Sequence, residues 1–294
     1  MARIGKKFVH KSFSKDNLNP EKSLRIRMLS GDPSGVLEIK IANRPGKIII
    51  VPRGNLQSLI SMEGAVSRAV YFLFGGNDFE KPFVYIGQTD NFQRRLTQHD
   101  IVRNDWNIAF GFLPDDNDID IRYLEGKCTR LAYDAGRYEV KNKQNPPNIN
   151  LDSFGKPIND EFLENINIIV NLFRYPLFQK PPKKEDAKDV YYFRNKDANA
   201  SGVLLENNKF MVYKGSTACV KEVQSFFASG KNLRRTLIDK KVLVKNEDIY
   251  FFACDYIFNS PSSASGTVAG KNSNGWSNWK NKEGKTLDES KREE

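Results

Sequence analysis

The fold is decided by residues 69–99, in which AVYFLF (69–74) is followed, after a polar loop, by FVYIGQTDNFQRRLTQH (83–99). The two apolar segments are rich in β-branched and aromatic residues, and the loop GGNDFEKP separates them. This pattern predicts two strands joined as a β-hairpin. A helix is predicted after the second strand, with Asp90 as its N-cap and Gln93 three residues later, as in a capping box.

Four side chains of this stretch indicate a shared site. Alternation along a strand places Tyr71 on one face of the first strand, and puts Tyr85 on the same face as Gly87 in the second. Arg95 and His99 are four residues apart on the predicted helix, so one ligand can reach both. The two tyrosines would also be expected if they only packed against the sheet, and the arginine and histidine if they only lay on a solvated helix surface. These alternatives stay open at this point.

The remaining strand and helices of the central domain follow from apolar spacing. NIAFGFL (107–113) predicts a third strand for the same sheet. In IDIRYLEGKCTRLAYDAG the apolar residues recur at helical spacing up to Gly136, which suits a C-cap, and another helix is predicted over residues 160–173. Glu125 lies at the edge of the apolar stripe, where a carboxylate loses hydration and needs either a divalent cation or a basic side chain.

Composition divides the rest of the chain. Residues 1–19 are basic and polar and are predicted to form an arm. Residues 20–66 contain three β segments separated by the turn sequences GDPSG and NRPG, which predicts a small antiparallel β unit followed by a short helix. Residues 67–178 form the predicted central domain, and residues 179–189, QKPPKKEDAKD, have the composition of a linker. A second domain is predicted over residues 190–294, with a helix near 220–229 and a polar tail after residue 287.

Charge and cysteine content limit the available chemistry. The chain has 46 basic and 36 acidic residues and a net charge of +10, which favours an anionic partner such as nucleic acid, although a solvated basic surface gives the same count. Its three cysteines form no CxxC motif, which predicts buried thiols in a reducing cytoplasm, and its two histidines exclude a multi-histidine metal site. No signal peptide and no apolar run of the ~18 residues that a membrane span needs is visible, so no membrane partner is expected.

The combination of AVYFLF, YIGQTDNFQRRLTQH and a later helix with a glutamate resembles the GIY-YIG nuclease superfamily, although Ala69 stands where that family usually has glycine. GDPSGVLEIKIANRPGKIIIVPR and the ending SPSSASGTVAGKNSNGWSNWKNKEGKTLDE resemble bacterial members that carry a C-terminal domain of unknown function. The resemblance implies an α+β fold. It consists of a small antiparallel three-stranded sheet flanked by helices, an N-terminal β unit and a C-terminal α+β domain.

The resemblance also implies a function, which is metal-dependent cleavage of DNA by an endonuclease that uses a single metal ion. Glu125 would hold one Mg²⁺ or Mn²⁺, and Arg95 would bind the oxygens of the scissile phosphate. Tyr71 or Tyr85 would orient or deprotonate the attacking water. His99 would be an alternative base, or would share the phosphate with Arg95. Duplex DNA is the expected partner.

Further substrate contacts are predicted on both sides of the linker. Gly87 and Thr89 belong to the signature, and Asn142 falls where the family often has an asparagine, with Asn145 as a rival placement.

In the C-terminal domain, NGWSNWK (274–280) places two tryptophans beside Lys280, and LRR (233–235) adds two cations. Aromatic and basic residues in this arrangement stack bases and bind phosphates, which predicts DNA contact by Lys280. For the tryptophans we prefer a place in the core.

Two other interpretations compete with this one. PD (114–115) and the ExK formed by Glu125 and Lys127 resemble a second nuclease motif, in which ExK lies on a strand. The predicted helix instead turns Lys127 about 200° away from Glu125. The stronger alternative is a DNA-binding protein that keeps a GIY-YIG-like cleft but does not cleave.

Overall fold

The computed structural model describes residues 21–77, 80–103, 105–142 and 146–292, so the predicted arm and Asn145 lie outside the described residues. The described strands are β1 (Leu24–Met28), β2 (Leu37–Ile41), β3 (Lys47–Pro52), β4 (Ala69–Gly75), β5 (Phe83–Thr89), β6 (Trp106–Leu113), β7 (Glu139–Val140), β8 (Tyr191–Arg194), β9 (Asn199–Leu204), β10 (Phe210–Val212), β11 (Thr217–Cys219), β12 (Leu243–Asn246), β13 (Ile249–Phe252) and β14 (Tyr256–Phe258). The described helices are α1 (Leu56–Ile60), α2 (Phe92–Val102), α3 (Ile121–Ala135), α4 (Gly155–Leu172), α5 (Ala228–Asp239), α6 (Pro261–Ala269), α7 (Gly275–Asn278) and α8 (Leu287–Arg292). The α+β class is therefore confirmed.

The first seven strands form one sheet in the order β1-β2-β3-β6-β4-β5-β7, in which only β5 and β7 run parallel. The prediction of a three-stranded sheet beside a separate β unit is therefore wrong. Strand β3 pairs with β6 from Lys47 opposite Leu113 to Pro52 opposite Ile108. Strand β6 is buried along most of its length, and this pairing satisfies the backbone groups on the edge that β4 leaves free.

The central strand β4 is buried on both faces of the sheet. Val70, Phe72 and Phe74 face the core that α3 and α4 cover, whereas Tyr71 and Leu73 face the core that α1 and α2 cover. Burial of both faces explains why residues 69–74 form a continuous apolar run instead of an alternating one.

The helices on either side of the sheet begin and end at identifiable caps. The predicted cap Asp90 is wrong by one residue, because the side chain of Asn91 accepts a hydrogen bond from the Arg94 N–H at 2.9 Å. Gly136 ends α3 in the left-handed conformation, with φ of 63°, as predicted. Helix α4 begins at Gly155, earlier than predicted, because the Asp152 carboxylate accepts the Gly155 N–H at 2.6 Å. Across the described ranges, no helix has both the length and the apolar character required to cross a bilayer.

The C-terminal domain contains a four-stranded sheet, β14-β10-β9-β8, and a three-stranded sheet, β11-β13-β12. Trp279 has 0% exposure and its ring lies 4.4 Å from that of Phe210, so the preference for core is confirmed for this residue. The helix predicted over residues 220–229 is wrong: the N–H of Val223 is bound to the carbonyl of Gly270, which holds this segment outside helical geometry. Residues 287–292 form α8 where a polar tail was predicted.

The cysteines correct one further expectation. Cys128 and Cys219 are buried thiols as predicted, whereas Cys254 is exposed.

The two domains contact each other at the end of the central sheet. The side-chain amide of Asn259 donates to the carbonyls of Asn77 and Glu80 at 2.6 and 2.7 Å. On the other side of this contact, the buried guanidinium of Arg137 pairs with Glu206. These bonds connect the loop between β4 and β5, and the end of α3, to the C-terminal domain.

Candidate active site

A cleft of about 780 Å³ opens beside β5, between α2, α3 and the segment that follows β7. Of the predicted site residues, five line it: Tyr85, Arg95, His99, Glu125 and Asn142. Residues from three separate parts of the chain therefore converge on one cavity.

Tyr71 lies behind this cleft, and its side chain connects two of the residues that line it. The ring is 1% exposed. The hydroxyl lies 2.7 Å from Nε2 of His99 and accepts a hydrogen bond from Nε of Arg95 at 3.1 Å. Because the Arg95 guanidinium can only donate, the Tyr71 proton is free to be donated to His99, which leaves the other imidazole nitrogen protonated in the neutral ring.

Gly87 provides the space that Tyr71 occupies. The two residues are directly opposite each other in the β4–β5 pairing. A Cβ on Gly87 would lie 2.5 Å from the Tyr71 hydroxyl oxygen, which is closer than a van der Waals contact allows. The glycine of YIG therefore acts here through close packing, and no substrate contact by Gly87 is needed to explain it.

Burial changes the protonation of both partners in this hydrogen bond. Desolvation, together with the charges of Arg95 and Arg103, lowers the pKa of His99 from 6.5 to about 4. Desolvation, and then the neighbouring Tyr85, raises the pKa of Tyr71 above its ordinary value, although Arg95 opposes this change. At neutral pH both groups are therefore uncharged, which argues against Tyr71 as the base and against His99 as a cation that binds phosphate.

Glu125 faces the cleft from α3, at the edge of the packed side of that helix. Desolvation raises the pKa of its carboxyl group, and the positive charge of Arg95 acts in the opposite direction. Among the described residues, this carboxylate has no hydrogen-bond or ion-pair partner, and the charge of Arg95 is the one opposite charge that acts on its pKa. Because Glu125 and Lys127 lie on a helix, as expected, the geometry of the PD and ExK motif is absent from these residues.

Two basic residues of the cleft were missed from the sequence. The guanidinium of Arg103 lies 4.7 Å from the centroid of the Tyr85 ring, and Nζ of Lys141 lies 3.2 Å from Oδ2 of Asp105. Both side chains line the cleft. A signal for Arg103 existed, because it follows Arg95 and His99 at the same four-residue interval.

The other predicted contacts have structural partners. Asn142 forms two hydrogen bonds with the backbone of Ile86, at 3.1 and 2.7 Å, and so fixes β5 to the segment after β7. The Thr89 hydroxyl accepts the Asn91 N–H at 3.1 Å and supports the start of α2. Lys280 is far along the chain, on a groove of the C-terminal domain that does not include these residues.

The comparisons with known proteins concern only the second domain. Residues 191–291 match a domain of unknown function, DUF4357. The C-terminal domain predicted from the ending of the sequence is thus confirmed as this DUF4357 domain. The match leaves out the cleft, so the resemblance of residues 67–178 to the GIY-YIG superfamily stays a prediction. No curated protein and no solved structure matched the chain.

The side chains of the cleft offer few ligands for a metal ion. Over the described ranges, no group of three or more His, Cys, Asp and Glu side chains is arranged to hold one. Mg²⁺, however, is commonly bound through one or two carboxylates, with water and substrate phosphate completing its shell. One desolvated carboxylate without a protein partner, beside a surface rich in cations that suits phosphate, fits that requirement.

Proposed function

We propose that the cleft hydrolyses phosphodiester bonds in DNA with the help of a divalent cation, as in the GIY-YIG nucleases that residues 67–178 resemble. The observation that carries this proposal is the shared exposure of Arg95 and Glu125 to one cavity without an ion pair between them. Opposite charges left apart in a partly desolvated cleft can each serve a different part of a ligand that has both signs of charge, such as a phosphate with its cation.

Arg95 binds the phosphate in this proposal. Its Nε is bound to Tyr71, the Tyr85 side chain is a further hydrogen-bond partner, and a long contact of 3.4 Å joins Nη1 to Gln98. Several terminal N–H donors therefore remain for phosphate oxygens. Arg103 and Lys141 add positive charge along the same cavity and favour the approach of a polyanion.

Tyr85, His99 and Tyr71 position the reacting groups. The Tyr85 side chain lines the cleft and is the phenol that can orient an attacking water, whereas buried Tyr71 holds Arg95 and His99 in place. In the neutral imidazole of His99, Nε2 accepts from Tyr71, so Nδ1 carries the N–H and is the donor left for a ligand.

Glu125 would hold the cation, Mg²⁺ or Mn²⁺. When bound, such an ion neutralises charge on the phosphate and favours release of the leaving oxygen. The carboxylate of Glu125 supplies the negative charge that binds it, and the raised pKa of this group means that bound metal and proton compete for the same oxygens.

A plasmid-nicking assay tests the proposal. Supercoiled DNA is incubated with the full chain in Mg²⁺, in Mn²⁺ and in EDTA. Arg95→Gln is the test variant, and Arg94→Gln, which removes an exposed arginine from the same helix, is the matched control. We expect cleavage by the wild type and by Arg94→Gln with metal, and none by Arg95→Gln or in EDTA. Cleavage that survives Arg95→Gln would refute the proposed role of the cleft.

The second candidate is a DNA-binding protein without turnover. Two observations favour it: the pKa of His99, about 4, makes the imidazole a weak base, and a single carboxylate is a sparse metal site. In this case, the wild type would bind DNA in a manner that depends on Arg95 but would leave the plasmid intact under every metal condition.

A further inference from the structure

A second groove, of about 560 Å³, lies on the DUF4357 domain beside the edge strand β8. Its lining consists of one tyrosine, three cationic side chains and two amides: Tyr192, Arg194, Lys280, Lys282, Asn278 and Asn281. None of these residues belongs to the cleft described above.

The sequence of β8 builds one wall of this groove. In YYFR (191–194), Tyr191 and Phe193 are buried, so alternation directs Tyr192 and Arg194 outward. Phe193 packs against the ring of Trp279, at 5.6 Å between centroids, and this contact fixes the strand on the core. The guanidinium carbon of Arg194 lies 5.2 Å from the centroid of the Tyr192 ring, which holds the cation over the groove.

The other wall is brought to β8 by backbone pairing. The N–H of Tyr192 donates to the carbonyl of Lys280 at 2.7 Å, and the N–H of Lys280 donates to the carbonyl of Tyr192 at 3.0 Å. Residues that exchange both bonds are directly opposite each other in an antiparallel pair, so their side chains lie on one face. Lys280 is therefore set beside Tyr192 and Arg194 by the fold itself.

The lining of this groove carries three positive charges and no carboxylate. Among the described residues, Arg194, Lys280 and Lys282 form no ion pair with Asp or Glu. Two acids of the same segment bind other groups: Glu283 accepts the side-chain amide of Asn281 at 3.0 Å, and Glu289 accepts the N–H and the hydroxyl of Thr286. The bonds to Thr286, with a smaller contribution from the charge of Lys280, lower the pKa of Glu289. Three cations that converge in one groove repel one another, and a bound anion lowers that cost.

We propose that this groove binds the phosphate backbone of DNA and gives the DUF4357 domain a nucleic-acid contact of its own. Trp279 precedes Lys280 in the sequence but is fully buried in the core. The aromatic side chain that lies beside the lysines is therefore Tyr192. Paired cations with hydrogen-bonding amides suit consecutive phosphates, which carry charge at regular spacing. This site does not depend on hydrolysis in the cleft.

The test measures binding of a fluorescent duplex to the full chain by anisotropy over a range of NaCl concentrations, in EDTA so that no metal-dependent cleavage occurs. Lys280→Gln/Lys282→Gln is compared with Lys245→Gln/Lys271→Gln, which removes two exposed lysines of the same domain from outside the groove. We expect the groove variant to reduce the slope of log affinity against log salt by about 2, and the control to leave it within about 0.5 of the wild type.

Three further arms make the result decisive. Lys280→Arg/Lys282→Arg keeps both charges and should restore wild-type binding, and equal melting temperatures show that the variants are folded. Equal slopes for the groove variant and the control would overturn the proposal. So would binding to phosphatidylserine vesicles that the groove variant loses while it keeps its affinity for DNA. Because no cleavage is measured, a failure of the proposed nuclease activity leaves this outcome unaffected.

Discussion

Two arginines of this protein show how a charge that stabilises the fold differs from a charge that is accessible to a ligand. Arg234, in the DUF4357 domain, is 0% exposed and binds Glu222 at 2.9 Å, the carbonyl of Cys219 at 2.5 Å and the carbonyl of Thr267. Arg95 lines the cleft, where it binds the Tyr71 hydroxyl at 3.1 Å, Tyr85 and, over 3.4 Å, Gln98, and keeps part of its side chain exposed to the cavity.

The difference lies in the unused hydrogen-bonding capacity. Each of the three nitrogens of the Arg234 guanidinium meets an acceptor of the protein, and the side chain has no exposed surface, so this charge stabilises the fold and is out of reach of a ligand. The expectation that both cations of LRR (233–235) serve DNA binding is therefore wrong for Arg234. Arg95 has N–H donors that form no hydrogen bond within the protein, and the carboxylate of Glu125 has unused acceptor oxygens. These unused groups are what the cleft offers to a ligand.

The largest expected effect is the loss of stability when the buried Arg234 is replaced. Arg234→Met removes the buried cation and leaves two carbonyls and the carboxylate of Glu222 without their donor. We expect a loss of about 3–5 kcal/mol in the free energy of unfolding. Urea unfolding measures this loss. The exposed neighbour Arg235→Met is the control, and a change below about 1 kcal/mol for Arg234→Met would contradict the structural role.

The reverse pattern is expected in the cleft. Arg95→Lys keeps a positive charge but loses the planar fork, so cleavage should fall about 100-fold while the urea midpoint stays close to that of the wild type. Rates of plasmid nicking measure the effect, and Arg94→Lys is the control on the same helix. If Arg95→Lys unfolds the protein and leaves the rate per folded molecule unchanged, the contrast between the two arginines fails.

A smaller effect is expected from Gly87→Ala, which should change both the stability of the protein and the rate of cleavage. The added methyl group would meet the Tyr71 ring, with distances of 2.5 and 2.6 Å to its hydroxyl oxygen and the carbon that bears it. We expect about 1–3 kcal/mol of destabilisation, together with reduced cleavage because Tyr71 positions Arg95. Gly54→Ala has no atom near the new Cβ and serves as the control. Wild-type activity and stability in Gly87→Ala would show that this contact is not required.

The smallest effect is a pH dependence of stability that originates at His99. Its pKa is lowered in the folded state from 6.5 to about 4, so between these values the unfolded chain binds a proton that the folded chain does not. Stability should therefore fall as pH decreases through this window and should not change through His99 above pH 6.5. In His99→Gln this part of the slope should disappear from urea titrations. An unchanged slope would show that the imidazole titrates normally.

Local sequence patterns were sufficient for much of the central domain. The strands at 69–74 and 83–87, the end of α3 at Gly136 and the position of Glu125 at the edge of an apolar stripe all follow from spacing within one element. The shared face of Arg95 and His99 follows from the same argument. These features depend on neighbours along the chain, which the sequence displays directly.

The features that were missed depend on contacts between distant segments. The pairing of β3 with β6 joins residues about 60 positions apart in the chain, and no local pattern distinguishes it from an isolated hairpin. The burial of Arg234 arises from acceptors on two other segments, residues 219–222 and Thr267. The hydrogen bonds of Tyr71 also depend on how β4 and β5 are placed against α2, which the sequence does not show. Because of these bonds, the Tyr71 phenol supports the cleft from behind and does not line it.

The central claim is that the unpaired charges of the cleft serve a metal ion and a phosphate, and the carboxylate of Glu125 tests it best. The measurement is the rate of Mn²⁺-dependent cleavage of labelled duplex DNA by Glu125→Gln beside Glu185→Gln, which changes an exposed glutamate between the domains. We expect Glu125→Gln to lose at least about 1,000-fold in rate while it keeps its DNA affinity and melting temperature, and Glu185→Gln to match the wild type. Cleavage by Glu125→Gln at the wild-type rate would contradict the account.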